Sequence, residues 1–383
     1  MKPSLVLRLF ILLLIITLLS PATRAGGGHD GRDPHSHQDA AAPAGLVIFG
    51  DSLSDTGNAF FATGILNRPP YDQLDAFLIP NGPYARGGAT FSNGAVWIQQ
   101  LARPLGLAGD AEAVLAPRHP GDNYAFGGAR ARAAATIPGR HLPDQVSEFL
   151  AAVNYGPSAD PLYVLFIGGN DVADAVRALT QDPSGAASMG IIVAALTAIG
   201  DAIQALYNSG AGAREFLVIN APDLGLTPAF TPPLNLPQAA VFGTCFSLLF
   251  NLGGDASGYP APYDSVCAAF GFPKSIPGLD TIVGALEANL PGTTFTRFDL
   301  FALMHAIVAD PAGYRLSNVT GACIMPNVPP YACRNPDSYL FWDGIHPTRK
   351  AHEIVAAAVQ DAIAPRDHGD ERQRHHARMA HAR

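Results

Sequence analysis

The sequence predicts an α/β protein, a three-layer α/β/α sandwich built on a mainly parallel, five-stranded sheet. Three observations carry that prediction. Short runs are apolar at nearly every position, as strands covered on both faces require. Helical patterns fall between those runs, giving a βαβα order that suits a doubly wound sheet. The body that contains them, residues 46–365, is 320 residues long and can bury a large core.

The elements follow in order. Leu46–Gly50 (LVIFG) is an almost wholly apolar strand that runs into a turn. Ala95–Leu105 is the first helical pattern, and Asn123–Phe126 the second strand. A helix over Leu142–Val153 leads to a third strand, Leu162–Ile167 (LYVLFI). Met189–Tyr207 is helical and precedes the strand Phe216–Asn220 (FLVIN). Pro222–Pro277, rich in Pro, Gly and aromatic residues, reads as an inserted loop region beside the site. A helix at Ile276–Ala288 and a more mixed strand, Thr294–Phe298 (TFTRF), come next. The last helix, Arg349–Ala364, stops at Pro365, which cannot continue it.

The ends have their own character. Lys2 and Arg8 precede an apolar run, Leu9–Leu19, and Thr23 and Ala25 form a small-residue cleavage site. This is the layout of a secretory signal peptide over residues 1–25, with an uncleaved anchor as the alternative. It implies export to the periplasm, the cell surface or the medium. Residues 26–45 have no apolar period and read as a linker, and residues 366–383 as a disordered tail rich in His and Arg. Seven of the twelve His lie in these two segments and read as solvated, with metal binding as the alternative.

Charge and cysteines narrow the function further. The net charge is −8, and loss of the first 25 residues takes it to −11. An acidic body without a basic stripe argues against nucleic-acid binding through phosphates. The four cysteines, Cys245, Cys267, Cys323 and Cys333, follow no metal-ligand spacing. In an oxidising compartment an even count suggests two disulfides, and sequence neighbours are taken as partners among three connectivities. Both pairs fall in Pro/Gly-rich stretches.

The chemistry gathers at strand ends. The first strand runs into Gly50-Asp51-Ser52-Leu53-Ser54-Asp55-Thr56-Gly57-Asn58. A serine on such a turn presents its hydroxyl at the sheet rim, and its own N–H can face an oxyanion. Asp51, Ser52 or Ser54 can equally cap the next helix. No G-x-S-x-G pentapeptide occurs. Near the other end, Asp343 and His346 are three apart before the last helix, where the carboxylate can orient the imidazole toward a serine. The other reading is a capping Asp343 or Thr348 and a surface His. Gly127-Gly128 after the second strand and Gly168-Gly169-Asn170-Asp171 after the third offer a backbone N–H and an amide for an oxyanion, or simply tight turns.

Four of these blocks, GDSLSDTGN (Gly50–Asn58), NYAFGGA (Asn123–Ala129), GGND (Gly168–Asp171) and DGIHPT (Asp343–Thr348), resemble in order the signature blocks of the GDSL, or SGNH, hydrolases. YLFWDGIHPT is most similar to the bacterial esterase and phospholipase-like branch. The resemblance spans nearly all of the body. It implies a flavodoxin-like SGNH hydrolase fold and ester hydrolysis with no metal and no organic cofactor. It makes Ser52 the nucleophile, His346 the base and then acid, and Asp343 the residue that orients His346. The Ser52 N–H, the Gly128 N–H and the Asn170 side chain form the oxyanion hole, with Gly127 one position away.

The implied substrate is a carboxylic ester, an acyl lipid or a short-chain ester, met by transient contact with a lipid surface and without an obligate protein partner. The loop after Asn58, rich in Phe, Tyr, Leu and Pro, suits an acyl group or plain packing. Acyl transfer from the same acyl-enzyme, removal of acetyl groups from a polysaccharide and a silent surface-binding module are the alternatives.

Overall fold

In the computed structural model, residues 43–136, 139–153, 161–209, 212–230 and 238–364 are described. The expected signal peptide, nearly all of the linker, Pro365 and the tail lie outside the described residues. Four parallel strands, β1 (Leu46–Gly50), β2 (Leu162–Phe166), β3 (Glu215–Ile219) and β4 (Thr294–Phe298), lie side by side in chain order. Their register is direct: Leu46 faces Leu162, Leu162 faces Glu215, and Glu215 faces Thr294.

The fifth expected strand is a correction. Asn123–Phe126 runs parallel to β1 on its free side but forms one isolated bridge, Ile48 with Asn123. Hydrogen bonds from Tyr124 N to Ile48 O (2.8 Å) and from Phe126 N to Gly50 O (3.1 Å) hold it there. Its outer edge is met by backbone, through a second isolated bridge between Asn123 and Ala113 in which Val114 N donates to Asn123 O (3.0 Å), and by side chains. Asn58 Nδ2 donates to the carbonyls of Asn123 and Ala125, and Asn123 Oδ1 accepts from Ala125 N. Counting this segment, the spatial order is the 2-1-3-4-5 of flavodoxin-like sheets, which places a crevice beyond the end of β1.

Strand alternation divides the core into two layers. Val47, Phe49, Tyr163, Leu165, Phe216, Val218 and Phe295 point to one face. There they meet α3 (Leu142–Ala152), α4 (Gly169–Ala178), α5 (Ala186–Asn208), α6 (Ala239–Leu252) and α8 (Leu279–Asn289). Aromatic rings cross this face in a row, Tyr163 against Phe216 at 5.7 Å and Phe216 stacked on Phe295 at 4.9 Å. Each such ring, fully buried, contributes about 2–3 kcal/mol. Leu46, Ile48, Leu162, Val164, Phe166, Leu217 and Ile219 point the other way, onto α2 (Trp97–Ala102), α9 (Leu300–Ala309) and α10 (Arg349–Ile363).

α5 is long and apolar enough, by length and composition, to cross a membrane. Its Ile192, Leu196, Ile199, Ile203 and Leu206 are buried, so one face of it covers the sheet. The inserted region Pro222–Pro277 is more helical than its composition predicts: α6 and the short α7 (Tyr263–Ala268) lie within it. Cys245 on α6 bonds Cys267 on α7, so this pair ties two helices together rather than bridging loops. Cys323 bonds Cys333, closing the segment between two short parallel strands, β5 (Asn318–Ala322) and β6 (Tyr339–Phe341). Both expected pairings are therefore present.

Candidate active site

The Ser52 turn is shaped by the polar groups around it. Gly50 ends β1 where a Cβ would meet the carbonyl of Phe166 at 2.7 Å, so only glycine brings the two strands this close. Asp51 then turns the chain. Its carbonyl accepts from the N–H of Ser54 and Asp55, and its Oδ1 from Leu53 N. The helix that follows, α1 (Asn58–Thr63), is started by Asp55, whose carboxylate accepts from the N–H of Gly57 and Ala59. Ser52 is therefore free of the capping role and sits 6% exposed at the sheet rim.

The last loop brings His346 to it from the other end of the chain. His346 Nε2 is 2.8 Å from Ser52 Oγ, and His346 Nδ1 is 2.7 Å from Asp343 Oδ2. Asp343, fully buried, accepts four hydrogen bonds. Its Oδ1 takes the N–H of Ile345 and His346, and its Oδ2 takes the Tyr84 hydroxyl (2.9 Å) and the imidazole. Four donors match the capacity of an ionised carboxylate and compensate its burial. With the acid ionised, Nδ1 carries the imidazole proton and Nε2 is left to accept from the serine. Phe91 packs on the imidazole at 5.3 Å between ring centres. Thr348, not Asp343, caps α10, accepting from Ala351 N.

The glycine and the amide complete the cleft. Gly127 N–H donates to Asp55 Oδ2 (2.8 Å), and a Cβ at Gly127 would lie 2.2 Å from the Phe91 ring. Gly128, held at φ +79°, is the member of the pair that lines the cleft. Asn170, in the first turn of α4, gives one amide hydrogen to Ala129 O (2.9 Å) and approaches Asp51 Oδ2 at 3.4 Å. Ser52, Gly128, Asn170 and His346 all line one cavity of about 240 Å³. Every residue singled out for the site is thus brought together.

Three features of the cleft were not readable. Tyr84 bonds Asp343 across 259 positions, and nothing local in its loop marks it. Arg130 and Arg177 line the cleft. Asp51 also lines it, and burial raises its carboxyl to about 7, partly offset by the Leu53 N–H and by the charge of His346. The aromatic loop after Asn58 divides its work: Ile79 and Pro80 reach the cleft, whereas Tyr71 and Tyr84 pack edge-on against Trp342.

A three-layer sheet whose first strand ends in a buried serine, met there by a histidine from the loop before the last helix, is the SGNH hydrolase fold. The chain belongs to the GDSL-like lipase/acylhydrolase family, whose sequence profile matches residues 46–359. It is similar to Lipase 1 of Photorhabdus luminescens, with 27% identity over 350 residues, covering 81% of this chain and 48% of that protein. The chain thus spans about half the length of that relative. Two GDSL esterase/lipases of Arabidopsis thaliana are 24% identical over 387 residues (93% of this chain, 97% of theirs) and 26% identical over 359 (83% and 86%).

Proposed function

We propose that the protein is an exported serine ester hydrolase acting through an acyl-enzyme on Ser52, with residues 46–365 as its catalytic domain. The observation that carries this reading is the continuous chain Ser52 Oγ–His346 Nε2, His346 Nδ1–Asp343 Oδ2, at 2.8 and 2.7 Å. The family and the names of its relatives support the same reaction class.

In this reading His346 Nε2 takes the Ser52 proton as Oγ attacks the ester carbonyl. The carbonyl oxygen becomes an oxyanion held by the N–H of Ser52, the N–H of Gly128 and the Asn170 amide. Asp343 holds the imidazolium in place. Collapse breaks the C–O bond to the alcohol, which leaves with the proton from His346. A water, deprotonated by the same His346, attacks the acyl-enzyme, and the acid departs as Ser52 regains its proton. Acyl lipids and short-chain esters are both within this chemistry.

The test is hydrolysis of p-nitrophenyl esters from acetyl to palmitoyl by wild type and Ser52→Ala, with fluorophosphonate labelling of both. Activity and labelling that vanish together in the variant are the expected result. A variant that still takes the label removes Ser52 as nucleophile.

A further inference from the structure

The cleft carries more positive charge than its surroundings neutralise. Arg130 is fully engaged: Nε and Nη2 clasp Asp174 at 3.0 and 2.9 Å, and Nη1 donates to the carbonyl of Gly128. Arg132 holds Asp171 and the second side of Asp174. Three guanidiniums therefore share two carboxylates, and Arg177 is the one left over. Its side chain is 47% exposed, and among the described residues its carboxylate neighbour within ion-pair range is Asp174, at 3.6 Å and already held closer by the other two.

Arg177 lines the same cavity as Ser52 and His346. Among the described residues the one carboxylate lining that cavity is Asp51, which burial moves up to about 7, so at neutral pH it cancels at most a part of the charge. Ile79, Pro80, Leu224 and Phe230 line the same cleft and give it an apolar wall. In a chain of net charge −8, the cleft thus combines an apolar wall with an arginine in excess of its carboxylate partners.

We propose that Arg177, braced by the Arg130–Asp174 clasp, binds an anionic oxygen group of the substrate, so that the ester cleaved at Ser52 is an anionic amphiphile bearing a phosphate or a carboxylate. The inference rests on the ester-hydrolase reading above and names its substrate class. The acyl portion lies along the apolar wall, the scissile carbonyl sits at Ser52, and the charged group faces Arg177. A guanidinium suits this task because its planar fork pairs two oxygens at once.

The experiment compares three esters with one acyl chain, held below their micelle concentrations: a neutral glycerol monoester, a glycerol phosphate monoester and a glycerate monoester. The full chain and the variants Arg177→Ala and Arg177→Lys are assayed on each. Wild type is expected to prefer a charged ester, and the preferred one identifies phosphate or carboxylate as the group bound. In Arg177→Ala the ratio of kcat/KM, charged over neutral, falls about tenfold through KM, the size of one half-exposed charge-assisted contact. Lysine restores part of the ratio, and added salt shrinks the preference of wild type. A wild type that cleaves the neutral ester as well as the charged ones, or a ratio unchanged in Arg177→Ala, overturns the inference and leaves the hydrolase reading intact. A wild type that cleaves none of the three also overturns the inference, and the hydrolase reading then stands or falls separately on the p-nitrophenyl esters.

Discussion

Burial of His352 makes this fold sensitive to acid. It lies on α10, 2% exposed, in the wall of a small apolar cavity of about 40 Å³ that Leu53, Trp97, Met304 and Val355 also line. Its Nε2 has no hydrogen-bond partner among the described residues. Burial, with a smaller contribution from the charge of His346, lowers its pKa from 6.5 to about 3. The folded protein thus keeps His352 neutral at pH values where the unfolded chain protonates it. Below the unfolded pKa the unfolded state binds more protons, so the stability this group provides is complete above about pH 6.5 and lost as the pH falls toward 3. At about pH 5 the loss is about 2 kcal/mol relative to pH 7.5, since the unfolded histidine is then almost fully charged and the folded one is not.

His352→Leu removes the titrating group and keeps a side chain that fits an apolar wall. The assay is urea unfolding of both proteins at the two pH values, read by the fluorescence of the buried Trp97 and Trp342. Wild type should lose about 2 kcal/mol more than the variant between pH 7.5 and 5. The raised carboxyls of Asp51 and Asp55 shift stability in the opposite direction, but both proteins carry them, so their contribution cancels. Equal acid losses in the two proteins would refute the reasoning.

Two further predictions concern the cleft. Asn170→Ala should lower kcat about a hundredfold with little change in KM, because the amide meets charge that develops only in the transition state; an unaltered kcat on p-nitrophenyl acetate would take Asn170 out of that role. Tyr84→Phe leaves Asp343 with three of its four donors and should cost about 2 kcal/mol of stability, the worth of one buried hydrogen bond to a charged group. It should also slow turnover about tenfold as Asp343 and His346 loosen, and a urea midpoint and kcat equal to wild type would show that the hydroxyl supports neither.

What could be read from the sequence depended on how far each residue stands from a strand end. Ser52, Gly128 and Asn170 each follow a segment of the sheet within a few positions, so a short word of sequence contains both the strand that places the residue and the turn that aims it. Asp343 and His346 share one turn for the same reason. The misses arise where local pattern is silent. α9 (LFALMHAIVA) is apolar almost all round, so no 3.6-residue period separates it from the strand before it; only Asp299, whose side chain caps its first turn, marks the start. α6 is similarly apolar within a stretch whose Pro and Gly residues suggest loop. Tyr84, Arg130 and Arg177 act through the path of a loop or the packing of one helix on another, which no short word encodes.

The four blocks carry more than chemistry. Asn58 of the first block donates to the carbonyls of Asn123 and Ala125 in the second, Asn123 donates to Ser54 O, and Asp55 accepts from Gly127 N–H. These bonds tie the serine turn directly to the glycine segment. That joint spends the Gly127 N–H on Asp55, and Gly128 is the glycine that lines the cleft. A motif read for its serine is therefore also a motif for the distance between Ser52 and Gly128. Asp55 and Asn58, which are not among the residues that line the cleft, are the positions that hold that distance.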